Sequence, residues 1–303
     1  MKLYYVDRPF MSLPEGHHFP LPKYDRLVQG VIEVGLATPD GLHAADPASL
    51  EQLLLVHTPA YVHRMTNGLM TGKEMRRIGF PWTPQLVERV LRSVGATICA
   101  CRSALQDGLA ANLGGGTHHA YPDHGEGYCV FNDVAVACRA MQSEGLARRI
   151  IILDCDVHQG NGTAAIFTGD PGVYTFSVHG EKNFPFHKER SSLDIPLPDG
   201  SGDAEFLEAV RRGVGQALEV FPADLVIYIA GADPFHADRL GRMKVTKPGL
   251  ELRDRLVLES CRSKGLPVAI VMGGGYSRQV EDIVDIHVTT IRVAFEIEKD
   301  GPF

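Results

Sequence analysis

The chain has 303 residues, 44% hydrophobic and 22% charged, an ordinary balance for a soluble globular protein and ample for one large core. Its formal net charge of -7 argues against general nucleic-acid binding. No uncharged apolar run is long enough to span a bilayer, so no membrane partner is expected.

The opening Met1-Lys2-Leu3-Tyr4-Tyr5-Val6-Asp7-Arg8 carries a charge too early for a secretory signal and lacks a small-residue cleavage site. Pro9, Pro14, Pro20, Pro22 and the Gly79–Trp82 stretch make the first eighty residues loop-rich and predict irregular segments around a site. Thr83-Pro84 then opens a helix, with Leu86, Val87, Val90, Leu91, Val94 and Ile98 at helical spacing. Asn132 caps the next helix and Gly145 ends it. Strands are expected at Arg149–Asp154, Val173–Val178, Asp224–Ala230 and Pro267–Met272. Asp203 starts a helix with Phe206, Leu207, Val210, Val214 and Leu218 on one face, and another runs from Leu250 to Lys264. Nothing resembles a linker or a repeat. Strand and helix alternate as in a parallel sheet covered on both faces, in one α/β domain over 1–303.

The six cysteines, Cys99, Cys101, Cys129, Cys138, Cys155 and Cys261, form no C-x-x-C pair and lie mostly in apolar segments. They read as reduced core thiols of a cytoplasmic protein.

The strand ending in Asp154-Cys155-Asp156-Val157-His158 is the most telling segment. Alternate residues share a face, so two carboxylates and an imidazole converge while Cys155 points away. Buried like charges need a cation among them, and Asp with His, without thiolate, suits a divalent ion such as zinc. Three further segments follow predicted strands or glycine turns: Gly114-Gly115-Gly116-Thr117-His118-His119-Ala120, Gly231-Ala232-Asp233-Pro234 and Gly273-Gly274-Gly275-Tyr276. Each alone has an ordinary reading as a strand terminus, loop pair, cap or tight turn. Together, at strand ends, they point to one site at one sheet edge.

This combination, with G-Y-C-V-F-N-D at 127–133 and D-C-D-V-H-Q-G-N-G at 154–162, resembles the histone deacetylase family of zinc-dependent deacylases. The resemblance extends from His17-His18-Phe19-Pro20 to Tyr276. The H-Q-G-N-G variant and the D-R-L-G at Asp238–Gly241 look most like the class IV branch, which has bacterial members. The resemblance implies the arginase–deacetylase fold, with a predominantly parallel eight-stranded sheet. It implies Asp156, His158 and Asp233 as zinc ligands; because affinity order and metal supply need not agree, ferrous iron is the expected substitute in cells. It implies His118 and His119 as paired catalytic imidazoles, supported by Asp154 and Asn161, and Tyr276 as the phenol that polarises the carbonyl. Gly127, Tyr128, Phe184 and Gly274 would line a tunnel for an acyl-lysine peptide or a small acylated amine. Potassium would bind at Asp154, Asp156, His158, Ser177 and Val178, and a second cation near Phe167, Asp170 and Val173.

Three positions depart from the family pattern. Asn161 stands where many members carry Asp, so Asn161→Asp is expected to shift the acidic limb of the pH–rate profile upward. Gly79 stands where other branches grip the substrate backbone with Asp. Thr117 stands where several relatives have a large aromatic residue before the two histidines, and is expected to enlarge the pocket beneath the zinc, admitting acyl groups longer than acetyl. Competing readings are an acetylpolyamine amidohydrolase, an inactive acyl-lysine-binding module and a binuclear manganese hydrolase. Asp233-Pro234-Phe235 lacks the second Asp of a D-x-D pair, which disfavours the last. Oligomeric state stays open.

Overall fold

In the computed structural model, which describes residues 1–7, 11–301 and 303, the elements follow in chain order. Arg8 and Pro9, counted above in the N-terminal segments, lie outside the described residues. The first third comprises β1 (Lys2–Tyr5), α1 (Lys23–Glu33), β2 (Leu42–Ala44), α2 (Leu50–Leu53), α3 (Pro59–Thr66), α4 (Gly72–Ile78) and α5 (Pro84–Asp107). The middle comprises β3 (Leu109–Asn112), α6 (Asp133–Ser143), β4 (Ile150–Asp154), α7 (Asn161–Ile166), β5 (Val173–Gly180) and β6 (Leu193–Leu197). The last part holds α8 (Asp203–Val220), β7 (Leu225–Ile229), α9 (Lys247–Arg262), β8 (Val268–Val271) and α10 (Val280–Lys299).

Among the described residues eight strands form one sheet, ordered β2-β1-β3-β8-β7-β4-β5-β6, and every neighbouring pair is parallel. Period-two alternation divides the core in two. Ile151, Leu153 and Cys155 join Val226, Tyr228 and Val268 on the face covered by α1, α8, α9 and α10. Ile150, Ile152, Ile227 and Val271 face α5 and α6. Cys155 therefore packs on the opposite side from Asp154 and Asp156, as the alternation requires.

The helix ends have local causes. The Thr83 hydroxyl accepts the Leu86 N–H at 3.0 Å with Pro84 in the first turn, and Asn132 Oδ1 accepts the Ala135 N–H at 3.0 Å. Helix α9 begins three residues before the predicted Leu250, because Thr246 caps it by accepting the Gly249 N–H at 3.1 Å. The four predicted strands appear within two residues of their expected ends. The first eighty residues are more regular than their prolines suggest, since they supply β1, β2 and four helices. Among the described residues, no helix is long and apolar enough to cross a membrane.

Candidate active site

Strands β4 and β7 are neighbours, with Asp154 opposite Ile229. The chain beyond their carboxyl ends brings Asp156, His158 and Asp233 together, the place where open α/β sheets put ligand sites. His158 Nδ1 lies 3.0 Å from Asp156 Oδ1 and 3.1 Å from Asp233 Oδ2. One donor atom from each of the three residues lies within 4.8 Å of the others, and all three residues are buried. Each carboxylate is aimed by backbone: Asp156 Oδ2 accepts the Gly274 N–H at 2.6 Å, and Asp233 Oδ1 accepts the Val157 N–H at 2.8 Å. A Cβ at Gly274 would stand 1.9 Å from Asp233 Oδ2, so only glycine fits there.

Burial, reinforced by the charge of Asp156, lifts the Asp233 carboxyl to about 7. Burial works the other way on His158, yet its bonds to Asp156 and Asp233 overcome this and hold the imidazole at about 10. A buried cluster that keeps a proton between two carboxylates calls for positive charge. Two carboxylates and an imidazole, dry and convergent, fit one small divalent ion. Among the described residues this is the one trio with that geometry.

The paired histidines arrive on the glycine turn after β3. Met272 and Gly273 donate their N–H groups to the Gly114 and Gly115 carbonyls at 2.9 and 3.2 Å, tying that turn to the end of β8. Asp133, buried at the start of α6, accepts the N–H groups of Gly116 at 3.0 Å and Thr117 at 2.7 Å. The Asn132 amide donates to the Ala120 carbonyl at 3.2 Å. So fixed, His118 Nδ1 lies 2.7 Å from Asp154 Oδ2, and His119 Nδ1 lies 2.7 Å from Asn161 Oδ1. The ring centroids are 4.2 Å apart, yet the two environments differ. Burial opposes charge on His118, but Asp154 and Asp156 outweigh it and raise the ring to about 9. Burial, then the charges of His118 and His158, push His119 well below the usual range.

Tyr276 follows β8. Its N–H donates to Asp238 Oδ2 at 2.6 Å, and its carbonyl accepts Arg239 Nε at 2.8 Å, so the Asp238–Gly241 segment pins this loop. Burial, then Asp156 and Asp233, push the phenol well above its usual value and keep the hydroxyl a donor. A pocket of about 350 Å³ reaches His119, His158 and Tyr276 between walls that include Tyr128 and Phe184. Phe184 stands edge-on to His119 at 4.9 Å. A Cβ at Gly127 would come within 2.8 Å of the His119 ring. Phe184 thus faces the pocket, and ordinary core packing does not describe it.

Several expectations meet a different local structure. Thr117 lines two small spaces, one of about 40 Å³ shared with His119, Asp156 and Tyr276 and one of about 50 Å³ toward Leu86 and Val90. The Thr117 hydroxyl turns to the Phe131 carbonyl and Asp133, while Phe19, Lys23 and Tyr24 close in from the α1 side. Neither space by itself has the volume of a long acyl group. Gly79 ends α4 with the Tyr128 ring packed where its Cβ would be. At the proposed second cation position, Asp170 already pairs with Arg139 at 2.6 Å. At the expected potassium position, where the resemblance implies ligation largely through backbone carbonyls, the side-chain contacts do not bear on that ligation: Ser177 lies opposite Asp154 in the sheet with its hydroxyl 2.9 Å from His179 Nδ1, and Val178 is a core residue.

The sequence reading missed Glu126, which accepts the Asn161 Nδ2–H at 2.6 Å. The available signal was the lost carboxylate at 161, which invites a search for another nearby. It also missed the roles of Asp133, Asp238 and His57, whose partners come from distant segments.

A model of the histone deacetylase domain matches residues 17–291. The histone deacetylase-like amidohydrolase of Pseudomonas aeruginosa is 31% identical over 277 residues, 86% of this chain and 73% of that protein. Histone deacetylase 2 of Arabidopsis thaliana is 28% identical over 287 residues, 92% and 74% of the two chains. An uncharacterized protein of Picosynechococcus sp. is 46% identical over 286 residues, 94% and 95% of the two chains. The crystal structure of an HDAC homologue from Aquifex aeolicus shares the fold, with a TM-score of 0.84 over 97% of this chain and 84% of that one at 24% identity. The chain belongs to the histone deacetylase family.

Proposed function

We propose that this histone deacetylase-family hydrolase is a zinc-dependent lysine deacylase: it hydrolyses the N-acyl amide of lysine-like amines, with the ion held by Asp156, His158 and Asp233. The observation that carries the reading is convergence: the trio's His158, the imidazole pair's His119 and the Tyr276 phenol all line one pocket. When bound, a divalent ion supplies Lewis acidity that makes water a usable nucleophile near neutral pH. Tyr276 donates its O–H to the acyl oxygen as negative charge develops there. His119 Nε2 takes the proton of the attacking water and returns it to the departing amine. His118, kept protonated by Asp154 and Asp156, balances charge without moving a proton. The products are a carboxylate and a free amine.

Tyr128, Phe184 and Gly127 suit an uncharged four-carbon stem between aromatic walls. Ferrous iron is the second ion this donor set would accept. Potassium beside Asp154, Asp156, His158, Ser177 and Val178 would offset the crowded carboxylates. Six free cysteines suit a reducing, cytoplasmic setting. The pocket lining weighs against polyamine substrates: its one carboxylate, Glu126, is already paired with Arg77, Arg242 is paired with Asp199, and Lys182 adds a positive charge. A substrate panel that varies acyl group and amine carrier independently tests the reading. Faster amine release from acetyl-lysine peptides than from acetylspermidine is expected. The reverse order would favour the polyamine reading, and tight binding without release would favour an inert module.

A further inference from the structure

We propose that Glu126 is a positioning residue for His119, acting through the amide of Asn161 and anchored by Arg77. The inference rests on the deacylase reading in giving His119 the part of base. The four side chains form one unbroken line. His119 Nδ1 is 2.7 Å from Asn161 Oδ1, and Asn161 Nδ2 donates to Glu126 Oε1 at 2.6 Å. Arg77 donates to Glu126 Oε2 through Nε at 3.0 Å and Nη2 at 2.9 Å. The second hydrogen of Asn161 Nδ2 goes to the Tyr121 hydroxyl at 3.1 Å.

Donor and acceptor chemistry fixes the direction of this line. An ionised carboxylate only accepts, so Glu126 must face the NH₂ end of Asn161. The amide oxygen is then turned to His119, which must carry its proton on Nδ1 to complete the bond. Nε2 is left with a free lone pair on the pocket side. An asparagine by itself does not dictate this, because its two ends are interchangeable in shape. The carboxylate supplies the asymmetry from one side chain further out. Arg77 holds the other oxygen of Glu126 in a two-pronged, charge-assisted contact, with the carboxylate only 9% exposed. Backbone bonds make the anchor stiff: the Gly127 and Tyr128 N–H groups donate to the Arg77 and Ile78 carbonyls at 3.2 and 2.7 Å. The end of α4 and the Glu126–Cys129 bridge therefore move as one piece.

The line also revises the expectation for Asn161→Asp. Alone, that substitution sets a second carboxylate against Glu126, and the pair repels. Combined with Glu126→Gln, it leaves a single anion, now directly on His119. The test measures kcat and KM of the zinc-loaded protein on an acetyl-lysine peptide for Glu126→Gln, Asn161→Asp and the double variant. Each single change is expected to lower kcat about tenfold with KM nearly unchanged, and the double variant to recover most of the loss. Glu126→Gln that raises KM at constant kcat would make Glu126 a substrate contact and overturn the proposal. So would a double variant no faster than the slower single one. Imidazole ¹⁵N spectra of His119 give a readout independent of turnover. The parent should show one tautomer, protonated at Nδ1, and Glu126→Gln a mixture. An identical single tautomer in both would overturn the proposal even if the protein proved to hydrolyse some other amide, and failure of the deacylase reading alone would leave these spectra as predicted.

Discussion

At the residue scale the site depends on carboxylates whose oxygens have been assigned in advance. Asp156 and Asp233 each give one oxygen to a backbone N–H, and the other faces His158. Asp133 and Asp238 serve the glycine turn and the Tyr276 loop in the same way. Preorganisation of this kind is what stabilises developing charge without a reorganisation cost at the moment of reaction. Tyr276→Phe removes one donor and little packing, so kcat should fall about a hundredfold or more while KM and Tm barely change. Steady-state kinetics beside a melting curve check this, and a variant with near-parental kcat would remove the phenol from the mechanism. The strand-end residues Asp156, His158, Asp233 and Tyr276 were legible in the sequence because each follows an apolar run that fixes its place. Glu126 was not, because its meaning lies in Asn161, which is 35 positions away in the chain.

At the scale of elements, His57 shows how loops are tied to the frame. It precedes α3 and bridges two other segments: its Nδ1–H donates to the Tyr121 carbonyl at 3.0 Å, and its Nε2 accepts the Asn132 N–H at 3.0 Å. Protonation would set a second N–H against a backbone donor. Burial, against the pull of the Tyr121 and Pro122 carbonyls, lowers this imidazole from 6.5 to about 4. The folded value lies below the unfolded one. His57's contribution to stability is therefore complete above about 6.5 and is lost as pH falls toward 4. Between pH 7.5 and pH 5 the parent should lose about 2 kcal/mol more than His57→Gln in urea unfolding. Equal losses would contradict a buried neutral ring. Element prediction succeeded where β4, β5, β7 and β8 read as Val- and Ile-rich runs. It failed at β3, whose Leu109-Ala110-Ala111-Asn112 is small-residue sequence directly after α5, and at β6, an edge strand that tolerates Pro196. Helix α10 hides its period because His287 and Thr290 sit at buried positions.

At the scale of the whole molecule, an all-parallel sheet with helices on both faces leaves one edge for chemistry, where the loops after β3, β4, β7 and β8 meet. Long-range order makes the site: the trio follows two strands separated by α7, β5, β6 and α8 in the chain but adjacent in the sheet. The central claim is that one divalent ion in this trio enables the hydrolysis. The direct measurement is amine release from an acetyl-lysine peptide after exhaustive chelation and then during titration with zinc. Activity should vanish on chelation and return fully at one equivalent per chain, with Tm rising over the same addition. Full activity in the chelated protein, or a requirement for two equivalents, would contradict the account.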